Sequence, residues 1–145
     1  WARKVSIDLG QVDYCEIPNI LSLADVLVQP GGDNAFNEYR LPGKLPEFFA
    51  MGRPIVLPRT NIGHFVRDQE EAWVLPKVDA LGIVHAVRTL AANEQLRERL
   101  SAGALEFCRS HFDWNTNAAK VEQFYFAVLA HTKPQPHAAA AKIST

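Results

Sequence analysis

Lys44 and Glu47 stand three residues apart in the stretch Pro42-Gly43-Lys44-Leu45-Pro46-Glu47-Phe48-Phe49-Ala50-Met51-Gly52. In a helix that spacing puts both on one face, about 5–6 Å apart between Cβ atoms. A cation followed by a carboxylate suits a nucleoside diphosphate, whose phosphates need positive charge and N–H donors and whose ribose diol needs an acceptor. The same pair also reads as a solvated salt pair worth about 0.3–0.5 kcal/mol, and on spacing alone that is the commoner arrangement. The position of Lys44 sharpens the question. It falls in the first turn of the expected helix, where the macrodipole is already positive and a cation is unfavourable. A residue that breaks a local rule without compensation is a functional candidate. An anion shared by Lys44, Gly43 and the free N–H groups of that turn would compensate it.

Glu38 and Arg40 precede this helix, with Asn34, Asn37 and Tyr39 beside them. They could position a sugar or phosphate, although polar loops are more often only solvated. His64 and Gly63 lie in a second loop that could reach the same ligand. The remaining signals are weaker. Gly31 and Gly32 belong to no phosphate-cradling pattern. His85, His111, His131 and His137 show no metal-ligand spacing, so no metal is expected. No serine sits in a nucleophile-elbow context. Phe112 and Trp114 read as packing residues that pin the last helix.

The elements around these residues alternate. Val5 to Leu9 alternates apolar and polar, as a strand does, and stops at Gly10. Ile17 to Ala24 reads as a short helix with Pro18 early in it. Asp25 to Gln29 is a buried strand, 30–41 a turn-rich loop, and Lys44 onward a helix burying Leu45, Phe48 and Phe49, with Gly52 just past its end. Pro54 to Leu57 is apolar throughout, as in a parallel strand covered on both faces. A loop with a helical turn follows, then a short strand at Ala72 to Leu75. Three helical stripes follow, capped at Asn93 and Asp113 for the second and third. This spacing predicts a three-layer α/β domain with a parallel sheet, its ligand loops at the strand C-termini. The domain is expected over 1–131, with a disordered tail over 132–145.

The 145 residues suit one domain, and 48% hydrophobic with 21% charged places the chain among soluble globular proteins. A net charge of -1 without a basic stripe argues against nucleic acid as a partner. No signal peptide is visible, and Cys15 and Cys108 read as reduced thiols, pointing to the cytoplasm.

From about Gly10 to Leu129 the chain resembles the C-terminal, donor-binding half of GT-B fold glycosyltransferases of group 1, or family 4. Ile17-Pro18 through Gln29-Pro30 resembles the family element ending "ADvfv.PS". Lys44 to Val56 resembles "K..E.mA.G.PVv", and Arg59 to Pro76, Leu81 to Leu90, Leu96-Arg97-Glu98 and Phe112-Asp113-Trp114 follow the family's later segments in order. The resemblance implies a retaining transfer of sugar from a nucleotide-sugar donor to an acceptor hydroxyl, without a metal or other cofactor. It implies that Glu47 holds the donor ribose. The family's earlier glutamate would fall on Tyr39, one place from Glu38, so Glu38 or Asn37 is left as the sugar contact. The usual glycine-rich loop is replaced by Arg40-Leu41-Pro42-Gly43-Lys44, which passes the phosphate contact to Lys44 and local amides. Asn61 and Ile62 replace the usual glycine pair before Gly63. The resemblance further implies an N-terminal domain, absent here, that would take the acceptor (glycan, lipid or small molecule) and allow peripheral membrane association. The donor domain is then incomplete at its N-terminus and inactive alone. A GT-B nucleotide-sugar epimerase and a non-catalytic interaction domain on the same scaffold remain as alternatives.

Overall fold

The computed structural model describes residues 5–32 and 34–131. The tail expected over 132–145 lies outside them. The chain divides into two compact units, Trp1–Phe112 and Asp113–Thr145; the boundary at 131 remains a reading of the sequence.

In the first unit a 3-10 turn (Tyr14–Glu16) leads into α1 (Ile17–Ser22), where Pro18 occupies the first turn at no hydrogen-bond cost. Then come β1 (Leu27–Val28), α2 (Ala35–Tyr39), α3 (Lys44–Ala50), β2 (Ile55–Pro58), a 3-10 turn (Asn61–His64), β3 (Trp73–Leu75), α4 (Ala80–Ala92) and α5 (Glu94–His111). The sheet is parallel in the order β1-β2-β3, with Leu27 opposite Ile55 and Val56 opposite Trp73.

Strand β2 is buried along its whole length because its side chains alternate between two cores. Ile55 and Leu57 join Leu45, Phe48 and Phe49 of α3 and Ala104 and Phe107 of α5. Val56 faces the other way, to Leu75, to Ala86 and Leu90 of α4, and to Leu96 and Leu100 of α5. These two cores on opposite faces of one sheet make the expected three layers. Phe49 and Phe107 pack with their rings tilted by 33° and 4.7 Å between centroids. Phe112 joins the same cluster, its ring centroid 5.9 Å from that of Phe49, so it packs within the first unit.

Gly52 ends α3 at φ +60, and a Cβ there would lie 2.8 Å from Leu105, so both conformation and space require glycine. The predicted caps form: Asn93 Oδ1 accepts from Leu96 N at 3.0 Å, and Asp113 Oδ1 from Thr116 N at 2.7 Å.

Three expectations change. Val5 to Leu9 is not a strand, and Val5, Ile7 and Leu9 are exposed. Alternation supplies a face, but a strand also needs a neighbour for its hydrogen bonds. The loop 30–41 contains a short helix, α2, started by Asn34 Oδ1 accepting from Asn37 N at 3.0 Å. Trp114 does not pack as expected of it; in the second unit it is exposed on α6 (Trp114–His131), together with Phe124, Tyr125 and Phe126. Among the described residues no helix is long and apolar enough to cross a membrane.

Candidate functional site

Parallel strands β1 and β2 deliver both candidate loops to their C-terminal ends, and the two loops touch. Asn61 Nδ2 donates to the Glu38 carbonyl at 3.2 Å, and His64 Nε2 lies 2.8 Å from Glu38 Oε1. Asn61 reaches this position in the left-handed region, at φ 49. Asparagine tolerates that region best among non-glycine residues. It therefore holds a backbone conformation otherwise suited to glycine and adds an amide that ties the loops together. Gly63 is fixed by packing: a Cβ would sit on the Pro58 carbonyl oxygen, at 2.0 Å. Asn37 donates through Nδ2 to the Gly32 carbonyl at 2.8 Å, bracing the first loop.

Behind these loops lies a small cavity of about 10 Å³ lined by Gln29, Asn37, Thr60 and Asn61 among apolar neighbours. Nothing in the sequence marks Gln29 and Thr60 as site residues, since each reads as the end of a buried strand or the start of a loop.

Glu47 stands elsewhere, on the flank of α3 that faces α1. It is half-buried and lines a groove of about 150 Å³ with Tyr14, Ile17, Pro18, Leu21 and Met51. The groove is apolar apart from this carboxylate. Tyr14 was not foreseen, because the 3-10 turn that presents it has no periodic pattern.

Lys44 is the first residue of α3, as its sequence position implied. Among the described residues it forms no ion pair with Glu47. Its ammonium lies instead over the Phe48 ring, 5.7 Å from the centroid. That contact offsets part of the cost of a cation at a helix start. Gly43 has open space around it. Arg40 lies over Phe36 at 4.6 Å. The structure thus gathers Asn37, Glu38, Gly63 and His64 at one place and puts Glu47 over a separate groove. Among the described residues no three His, Cys, Asp or Glu side chains are grouped to hold a metal ion.

A parallel sheet covered by helices on both faces, with linked loops at its strand C-termini, defines a Rossmann-like domain of the type that forms the C-terminal half of GT-B glycosyltransferases. The chain belongs to the family "Glycosyl transferases group 1", whose profile matches residues 4–93. It is 29% identical over 133 residues to a glycogen synthase of Mycobacterium tuberculosis, covering 88% of this chain and 30% of that protein. It is 30% identical over 122 residues to a phosphatidyl-myo-inositol mannosyltransferase of Mycobacterium leprae, covering 83% and 31%. The chain therefore spans about a third or less of these relatives. Among solved structures, a sucrose-phosphate synthase from Thermosynechococcus elongatus superposes with a TM-score of 0.72 at 22% identity, over 86% of this chain and 30% of that one. Anabaena HepE in complex with UDP gives 0.69 at 12% identity, over 77% and 30%.

Proposed function

We propose that this chain is the donor-binding domain of a retaining glycosyltransferase that moves a sugar from a nucleotide-sugar to an acceptor hydroxyl. The observation that carries the reading is the groove under Glu47, in a chain of this family. Its volume of about 150 Å³ is well below the roughly 300–1,000 Å³ of a whole-ligand pocket, so it suits one part of a nucleotide. The base packs against Tyr14, Ile17 and Pro18, and the half-buried Glu47 carboxylate accepts from the two ribose hydroxyls. Lys44 and the amides at Gly43 take the diphosphate. As the sugar leaves, charge builds on that diphosphate, and a fixed cation stabilises it without a resident metal. Glu38 and Asn37 face the sugar, and Arg40 contributes positive charge at the loop. The acceptor, a glycan, lipid or small molecule, belongs to a second domain; the greater length of the relatives leaves room for one, and for a peripheral membrane contact through it. Free Cys15 and Cys108 fit a cytoplasmic protein.

A thermal-shift panel of nucleosides, nucleoside diphosphates and nucleotide sugars tests the reading, because a ligand that binds only the folded chain raises its melting temperature. A shift with at least one nucleoside diphosphate is expected. No shift with any of them overturns it.

A further inference from the structure

Gln29 is the residue just past β1, and its side chain is 6% exposed. Its Oε1 is buried and has no hydrogen-bond partner among the described residues. Leaving such an atom bare is costly, and buried polar groups almost always find a partner. The Gln29 side chain lines the cavity between the two loops, with Asn37, Thr60 and Asn61 around the same space. Thr60 is 7% exposed, so the polar lining is itself buried. A volume of about 10 Å³ is near the smallest that admits one water-sized group. An amide oxygen only accepts, so the missing partner must donate a hydrogen. The diphosphate of a nucleotide sugar, fully ionised at neutral pH, cannot fill that role, whereas a hydroxyl can.

We propose that this cavity is a one-hydroxyl site, in which Gln29 accepts a hydrogen bond from a single O–H group held between the loops that follow β1 and β2. The O–H comes either from the donor sugar, which makes Gln29 a specificity-determining residue, or from a buried water that locks the two loops. The sugar source rests on the donor-binding reading above; the water source does not. Gly31 keeps the approach narrow, since a Cβ there would come within 3.2 Å of Pro58 Cγ and 3.8 Å of Gln29 Nε2.

The test is Gln29→Met, which keeps length and volume while removing the acceptor. Wild type and variant are titrated with UDP, GDP and ADP and with UDP-glucose, GDP-mannose and ADP-glucose, alongside melting curves without ligand. If a sugar hydroxyl is the partner, diphosphate affinity stays within twofold while the preference for the nucleotide sugar falls about fivefold or more. If water is the partner, that preference is unchanged and the unliganded melting temperature drops by a few degrees. An unchanged preference with an equal or higher melting temperature overturns the proposal, because removing a bare acceptor relieves a penalty. If wild type binds no nucleotide at all, the donor reading fails while the melting comparison still decides the water source. Thr60→Val, isosteric and lacking the hydroxyl, carries the same comparisons if the methionine variant does not fold.

Discussion

The Glu38 carboxylate lies 2.8 Å from His64 Nε2, 26 residues further along the chain. This contact joins the loop after β1 to the turn after β2. Both side chains are partly exposed, at 38% and 45%, so its direct energetic worth is small. Its effect is on position, since it sets the direction of Glu38. His64→Ala is therefore expected to leave the melting temperature within about a degree. Nucleotide-sugar affinity should fall more than nucleoside diphosphate affinity, and equal losses for both would argue against a sugar-facing Glu38.

Glu47→Gln is expected to weaken nucleoside and nucleoside diphosphate alike, since both carry the ribose. Hydrogen bonds to a charged acceptor are worth about 1.5–3 kcal/mol, or roughly 10- to 150-fold in affinity. Calorimetric titration with parallel melting curves checks it. A collapse of stability would instead mark Glu47 as structural.

Lys44→Ala should discriminate between ligands in the opposite way, weakening diphosphates strongly and the bare nucleoside little. Two effects on the unliganded chain nearly cancel. Losing the cation–π contact with Phe48 costs about 0.5–1 kcal/mol, and relieving a cation at a helix start returns about 0.3–1 kcal/mol. Unliganded melting is thus expected to be unchanged. Equal loss for both ligands would remove Lys44 from the phosphate site.

Gly63→Ala is expected to destabilise the chain severely, because the new methyl would overlap the Pro58 carbonyl oxygen. Overpacking typically costs about 1–3 kcal/mol, and a backbone atom gives way less readily than a side chain. Denaturant unfolding measures it; a shift under about 0.5 kcal/mol would show that the turn relaxes.

Asp113 supplies the pH prediction. Hydrogen bonds to Thr116, from its side chain and its backbone N–H, hold the Asp113 carboxyl below its ordinary value. Its folded pKa thus lies below its unfolded one, so its contribution is present above the unfolded pKa and lost as pH falls through the folded one. Far-UV circular dichroism from pH 7 to pH 2 should show part of α6 melting in that window. Asp113→Asn keeps the cap without titrating and should remove that part of the pH dependence; identical curves for the two would refute it.

Local and periodic features were legible along the chain. The β2 run predicted a doubly covered parallel strand, the stripes after residue 80 predicted three helices, and Asn93 and Asp113 predicted caps, because each depends only on neighbours within a few residues. The family resemblance was legible for the same reason, as short motifs in a fixed order. Lys44 at the start of α3 was determined by its place between Gly43 and the helix that follows. What Lys44 touches was not: the choice between Glu47 and Phe48 is a matter of rotamer and burial. Asn61 reaching Glu38, His64 facing Glu38 and the bare oxygen of Gln29 emerged only in three dimensions, since each joins residues that β-strand pairing brings together from distant parts of the chain. The failed strand at Val5 to Leu9 has the same cause, because alternation is written locally while hydrogen-bond partners are assigned by the fold.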